Sequence, residues 1–164
     1  MNPKRQTLLD TASAEVGYEE TPVNVTKYGE WFGLNGEQWC MIFFCWVYWK
    51  AGLSLGRGDF AKGWASVPNF LQHAYDNQLV TTEPQPGDAV IFDWNKQNPG
   101  HVEGRWTPRH VEMFEGWINR HEGTFTTYGG NTSPLDKSNG GMVQHETRSM
   151  QYVQAFVSPL SLEP

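Results

Sequence analysis

Cys40 lies where a polar, glycine-rich stretch, Gly33-Leu34-Asn35-Gly36-Glu37-Gln38, meets an apolar and aromatic run from Met41 to Ala51 that stops at Gly52. The first segment reads as loop and the second as a buried helix, so the thiol falls in a helix's first turn. Unpaired amide N–H groups and the positive end of the helix dipole gather there. Both favour thiolate over thiol, and the thiolate is the nucleophile. Such a nucleophile needs a base for its proton and a third group to orient that base. Five histidines are available: His73, His101, His110, His121 and His145. His73 falls on a helix, His121 in a polar turn and His145 in a late strand. His101 and His110 each open a His-Val-Glu triplet. His101 runs on into loop, whereas His110 runs into an apolar strand, which holds a base more rigidly. His110 is therefore the expected base.

The third group is expected from Tyr128-Gly129-Gly130-Asn131-Thr132-Ser133. The Asn131 carbonyl can accept an imidazole N–H and fix its tautomer, although Gly-Gly-Asn is also ordinary turn chemistry. The backbone N–H of Cys40 is the natural oxyanion donor, and Gln38 a candidate side-chain addition to it. Tyr28, Trp39 and Trp94 are candidates for the wall of a substrate groove. The second cysteine, Cys45, would lie about 8 Å from Cys40 along a helix, beyond disulfide reach. It is expected to pack as a small apolar group.

These residues need a scaffold. Leu8, Leu9, Ala12 and Val16 repeat at helical spacing, predicting a helix over Thr7–Val16 closed by Gly17. A short helix is expected around Lys27–Phe32, a third over Cys40–Ala51, and a fourth opened by Ser66 and Pro68 and running to about Asn77. Strands are expected at Ala89–Phe92, His110–Trp117, Thr124–Tyr128, Met142–Thr147 and Tyr152–Val157. Helices first and an antiparallel sheet after them make an α+β domain. The 164 residues suit one domain with a real core, and 17 glycines and 10 prolines make it loop-rich. A net charge of −6 argues against a nucleic-acid partner or an anionic membrane surface. It also gives no long-range attraction to an anionic surface. No run has the length of a membrane span, and the first residues lack a secretory signal's apolar core. Synthesis in a cytoplasm follows as the expectation.

In order, Asn24–Gly33, Trp39-Cys40 with Phe43, Phe44 and Trp46, Pro86–Trp94, His110–Gly116, Gly130–Ser133 and Asn139–Val143 resemble the CHAP family. These are the cysteine, histidine-dependent amidohydrolase/peptidases of the NlpC-type papain-like group, and the similarity is greatest to the bacteriophage endolysin branch. The likeness runs from about residue 20 to 157. It implies a papain-like α+β fold, with N-terminal helices on a C-terminal antiparallel sheet, and hydrolysis of an amide bond in bacterial peptidoglycan. Either an N-acetylmuramoyl-L-alanine amidase or a stem or cross-bridge endopeptidase fits. Carried over by position, Cys40 is the nucleophile, His110 the base and Asn131 the polar partner. No cofactor, no metal, no separate wall-binding domain and a monomeric state are expected, with action on the wall after holin-type release.

Two departures from the family pattern stand out. Many relatives carry a Glu two residues before the Asn, where this chain has Gly129. Asn131 then orients His110 alone, or Glu112 or Glu115 substitutes, and Glu112 is the better placed because it shares a strand face with His110. The long polar loop Asn95–Pro108, with His101 inside it, is the other departure. Rival readings are a zinc hydrolase, for which the chain lacks a His-Glu-x-x-His helix, a non-catalytic wall-binding or virion protein, and an injected antibacterial toxin.

Overall fold

The computed structural model describes residues 2–98, 109–133 and 140–159. Four helices come first: α1 (Pro3–Ser13), α2 (Lys27–Phe32), α3 (Cys40–Lys50) and α4 (Val67–Asp76). Six strands follow: β1 (Val80–Thr81), β2 (Ala89–Phe92), β3 (His110–Asn119), β4 (Thr124–Thr132), β5 (Met142–Ser149) and β6 (Val153–Val157). They form one antiparallel sheet in the order β1-β6-β2-β3-β4-β5. The architecture is α+β, consistent with a CHAP/NlpC-type fold. No helix among the described residues is long and apolar enough to cross a membrane.

Local chemistry sets most boundaries. Thr26 caps α2 by accepting the Gly29 N–H, and Gly33, left-handed at φ 93°, closes it. Ser66 caps α4 in the same way through the Asn69 N–H. The first helix departs from expectation, beginning at Pro3 and ending at Ser13. Asn2 accepts the Lys4 N–H, and Pro3 gives up no hydrogen bond in the first turn. At the other end, the Gly17 N–H donates to the carbonyl of Val143 and draws the chain toward β5, leaving Val16 exposed. Strand β1 has only two residues, too few to carry a periodic pattern.

Every residue of α3 from Cys40 to Tyr48 is buried. The helix is apolar all round because α1, α2 and the sheet enclose it. It meets a sheet face built from Ala89, Ile91, Val111, Met113, Tyr128 and Val143. The opposite face carries its own cluster of Val90, Phe92, Phe114, Phe125, Val153 and Phe156, half-covered by Trp94, Trp117 and Tyr152. Both faces of β2 are thus covered, which is why Ala89–Phe92 is continuously apolar and not alternating.

The Gly129-Gly130-Asn131 string is not a turn. It lies inside β4, with Gly129 opposite Gln144 and the register shifting before Thr132 meets Met142. Each glycine makes room on a different side. A Cβ on Gly130 would lie 2.6 Å from Cβ of Phe43, so its absence lets α3 press against the strand. A Cβ on Gly129 would lie 2.6 Å from Cγ of Glu112. Asn131 takes a left-handed φ of 57° at this irregularity, a conformation asparagine tolerates.

Candidate active site

Cys40 is the first residue of α3. Trp39 before it supplies no side-chain cap, so the first-turn N–H groups remain for other partners. The sulfur draws on two backbone N–H groups, those of Met41 and of Val111 on β3, and on the imidazole of His110. His110 opens β3 opposite Phe92 at the end of β2. Helix start and strand start thus meet at one end of the sheet.

Burial resists ionisation of the Cys40 thiol, but the hydrogen bond and charge of His110 and the two backbone N–H groups outweigh it. The thiol accordingly sits below its ordinary range. Burial likewise opposes the charge on His110, yet Cys40 and Glu112 together push it up to about 9. Nε2 of His110 is 3.1 Å from Oε1 of Glu112. Nδ1 is buried without a nitrogen or oxygen partner, so it is the nitrogen left to serve the sulfur.

Glu112 is itself wholly buried, and four contacts hold its carboxylate. Besides His110, Thr127 Oγ1 donates to Oε2 at 2.5 Å. Arg148 on β5 donates from Nε to Oε2 at 3.0 Å and from Nη2 to Oε1 at 2.6 Å. Burial would raise the pKa of Glu112, but His110 and Arg148 hold it down at about 2. Groups that can carry opposite charges therefore alternate from Cys40 through His110 and Glu112 to Arg148.

Other expected site residues fall elsewhere. Asn131 is buried, and its Oδ1 accepts the Gly141 N–H at 3.3 Å while its own carbonyl accepts the Gly140 N–H. Its side-chain oxygen thus ties β4 to the start of β5, while Glu112 faces Nε2 of His110. Gln38 is exposed in the loop before Cys40. Tyr28 and Trp39, expected to wall a groove, are core instead. They stack on one another with centroids 5.5 Å apart, and half-buried hydrogen bonds to Glu15 and Glu20 satisfy their polar atoms. Trp94 is half-buried, stacked on Phe92 at 4.9 Å and 5.9 Å from the His110 ring.

Cys45 is buried, and its thiol is pushed up to about 12, mainly by that burial. It takes the Trp64 N–H and stays neutral. Glu115, the other acidic alternative, binds Thr126, Tyr128 and His145, away from His110. His73 is half-buried on α4 and His121 exposed in its turn. His101 and Glu103 lie outside the described residues. Among the described residues, no three His, Cys, Asp or Glu side chains come together as a metal site.

Arg148 and Thr127 carry no signal at the sequence level, being an ordinary arginine and threonine far from both triplets. Only strand register brings them in.

A family model described as CHAP domain matches residues 32–131, well over half of the chain. No curated protein and no solved structure matches it. The matched span begins at the last residue of α2 and ends at Asn131, so it takes in Cys40, His110 and Glu112 and leaves out Arg148.

Proposed function

Because the chain belongs to the CHAP domain family, whose members act as amidases or peptidases on peptidoglycan, we propose that it hydrolyses a peptidoglycan amide through the Cys40 thiolate in the manner of a phage endolysin. His110 serves as the acid–base group. Glu112, not Asn131, orients it. The observation that carries this reading is the buried Cys40–His110–Glu112 chain at the start of α3. In the first step the thiolate adds to the amide carbonyl carbon. The resulting oxyanion is received by the orphan N–H groups of the first turn, that of Cys40 among them. The His110 imidazolium gives its proton to the departing amine as the C–N bond breaks, leaving a thioester. A water molecule then loses a proton to His110 and adds to the thioester. The acid leaves and the thiolate–imidazolium pair is restored. Release of the enzyme through a holin-type pore would bring it to the wall.

Mass spectrometry of digested walls tests the reaction. A new amine on L-Ala beside free lactyl carboxylates marks the amidase, and a new amine within the stem or cross-bridge marks the endopeptidase. Walls that release neither would sink the proposal.

The pH profile follows from the two shifts. The thiolate is present above the lowered pKa of Cys40 and lost as pH falls through it. The imidazolium is present below the raised pKa of His110 and lost as pH rises through about 9. The dependence of kcat/KM on pH is expected to show an acid limb below the usual thiol range and a basic limb near 9. A profile that only begins to rise at the ordinary thiol pKa would contradict the ion pair.

Gly129→Ala offers a sharper check on Glu112. The backbone there is compatible with alanine, so the added methyl acts through space alone, 2.6 Å from Cγ of Glu112. Hydrolysis is expected to fall about tenfold to a hundredfold as the carboxylate moves off the imidazole. The measurement is the rate on purified walls, alongside circular dichroism showing an intact fold.

A further inference from the structure

Arg148 lies beyond the matched family span, on the edge strand β5, two strands away from His110. Its guanidinium nevertheless ends on the carboxylate that faces the imidazole. The contact is a two-pronged fork, Nε to Oε2 at 3.0 Å and Nη2 to Oε1 at 2.6 Å, and the arginine side chain is almost fully buried. Such forks fix orientation as well as charge. The same guanidinium lies 5.7 Å over the ring of Phe92 and 5.2 Å over that of Trp94, and these two rings also stand 6.3 and 5.9 Å from the imidazole. Arginine and histidine therefore share both a carboxylate and an aromatic wall.

We propose that Arg148 is a positioning residue for the Cys40–His110 pair, acting through Glu112. This rests on the reading of Cys40 and His110 as the reacting pair. The Glu112 side chain turns about three bonds and reaches into a space that glycine at position 129 leaves open. Without an anchor behind it, its carboxylate would not hold one orientation against Nε2. Thr127 supplies one hydrogen bond from β4, and Arg148 supplies the opposing charge and the plane.

The groups that bear on this chain of charges can be named. Cys40 faces His110 from α3, and Arg148 faces Glu112 from β5. Strand β4 presents the Thr127 hydroxyl and Gly129, and β2 with the residues after it presents the rings of Phe92 and Trp94. Val153 and Phe156 of β6 are apolar. Arg109, next to His110, turns to Gln154, and Glu146 shares the Arg148 side of β5 by its spacing of two.

Removing the guanidinium takes away a positive charge and loosens the carboxylate that stabilises the imidazolium. Both effects make the Cys40 thiolate harder to form. The test reads that thiolate without any substrate, through the rate of iodoacetamide labelling of Cys40 against pH. In Arg148→Gln the acid limb is expected to move up by about one pH unit, so labelling below it slows about tenfold. Wall hydrolysis should fall about tenfold to a hundredfold. Arg148→Lys keeps the charge and loses the fork. It is expected to restore most of the labelling profile and little of the hydrolysis. Guanidinium added at millimolar concentration to Arg148→Ala should recover part of both. An unmoved limb in a folded Arg148→Gln protein overturns the proposal, even if activity is lost. Should that variant not fold, Arg148→Lys decides, and wild-type hydrolysis in it overturns the proposal. If the wild type releases nothing from walls, the proposed reaction fails, while the labelling profile still judges the role of Arg148.

Discussion

Cys40→Ser is expected to give a folded protein that releases essentially no new amines from purified walls. The loss should be on the order of 10⁴-fold or more, the range seen when a nucleophile is removed from a preorganised site. A serine hydroxyl at this position has the geometry but not the acidity. The contacts that lower the pKa of the thiol, from His110 and from the Met41 and Val111 N–H groups, are far too weak to ionise an alcohol. Sulfur and oxygen differ by little in volume, so the core around α3 should be undisturbed and the circular dichroism and melting temperature close to wild type. Iodoacetamide should label Cys40 and spare Cys45, whose thiol burial holds at about 12. Full activity in folded Cys40→Ser, or labelling that falls on Cys45, would remove the nucleophile from position 40.

His110→Ala is expected to lose as much as Cys40→Ser, because the two act as a unit. Without the imidazole, only the Met41 and Val111 N–H groups oppose the burial that pushes the thiol pKa up, and the leaving amine has no proton donor. The pair Cys40→Ala/His110→Ala should therefore be no worse than either single change, whereas independent contributions would multiply. His101→Ala is the matched control and should keep wild-type hydrolysis. If His101→Ala is dead and His110→Ala active, the base belongs to the loop and not to β3.

The uneven legibility of the fold has physical causes. Helix α4 is legible because capping is local: Ser66 satisfies an N–H three residues on, as Thr26 does for α2 in the fold. The end of helix α1 escapes local rules because the chain after it is drawn off by a hydrogen bond from Gly17 to Val143, over a hundred residues away. The Gly-Gly-Asn string reads as a turn to any local rule. Its glycines instead answer two distant demands, the approach of Phe43 on one side and of Glu112 on the other. Tyr28 and Trp39 read as groove aromatics because nothing in their own neighbourhood announces Glu15 and Glu20 as hydrogen-bond partners.

Residue types and their short-range order specify the chemistry available and the elements that hold it. They place Cys40 at a helix start, His110 at a strand start, and the two cysteines in different environments. Those properties follow from residue type and from periodicity within a dozen positions. Which group faces Nε2 of the imidazole depends instead on long-range strand pairing. Glu112, Thr127 and Arg148 come from three strands, and their meeting depends on register, where a slip of one residue turns every side chain to the other face. The competition between Asn131 and Glu112 was therefore open in the sequence. In the fold, Glu112 occupies the space beside Gly129, and Asn131 is turned to the backbone of Gly141.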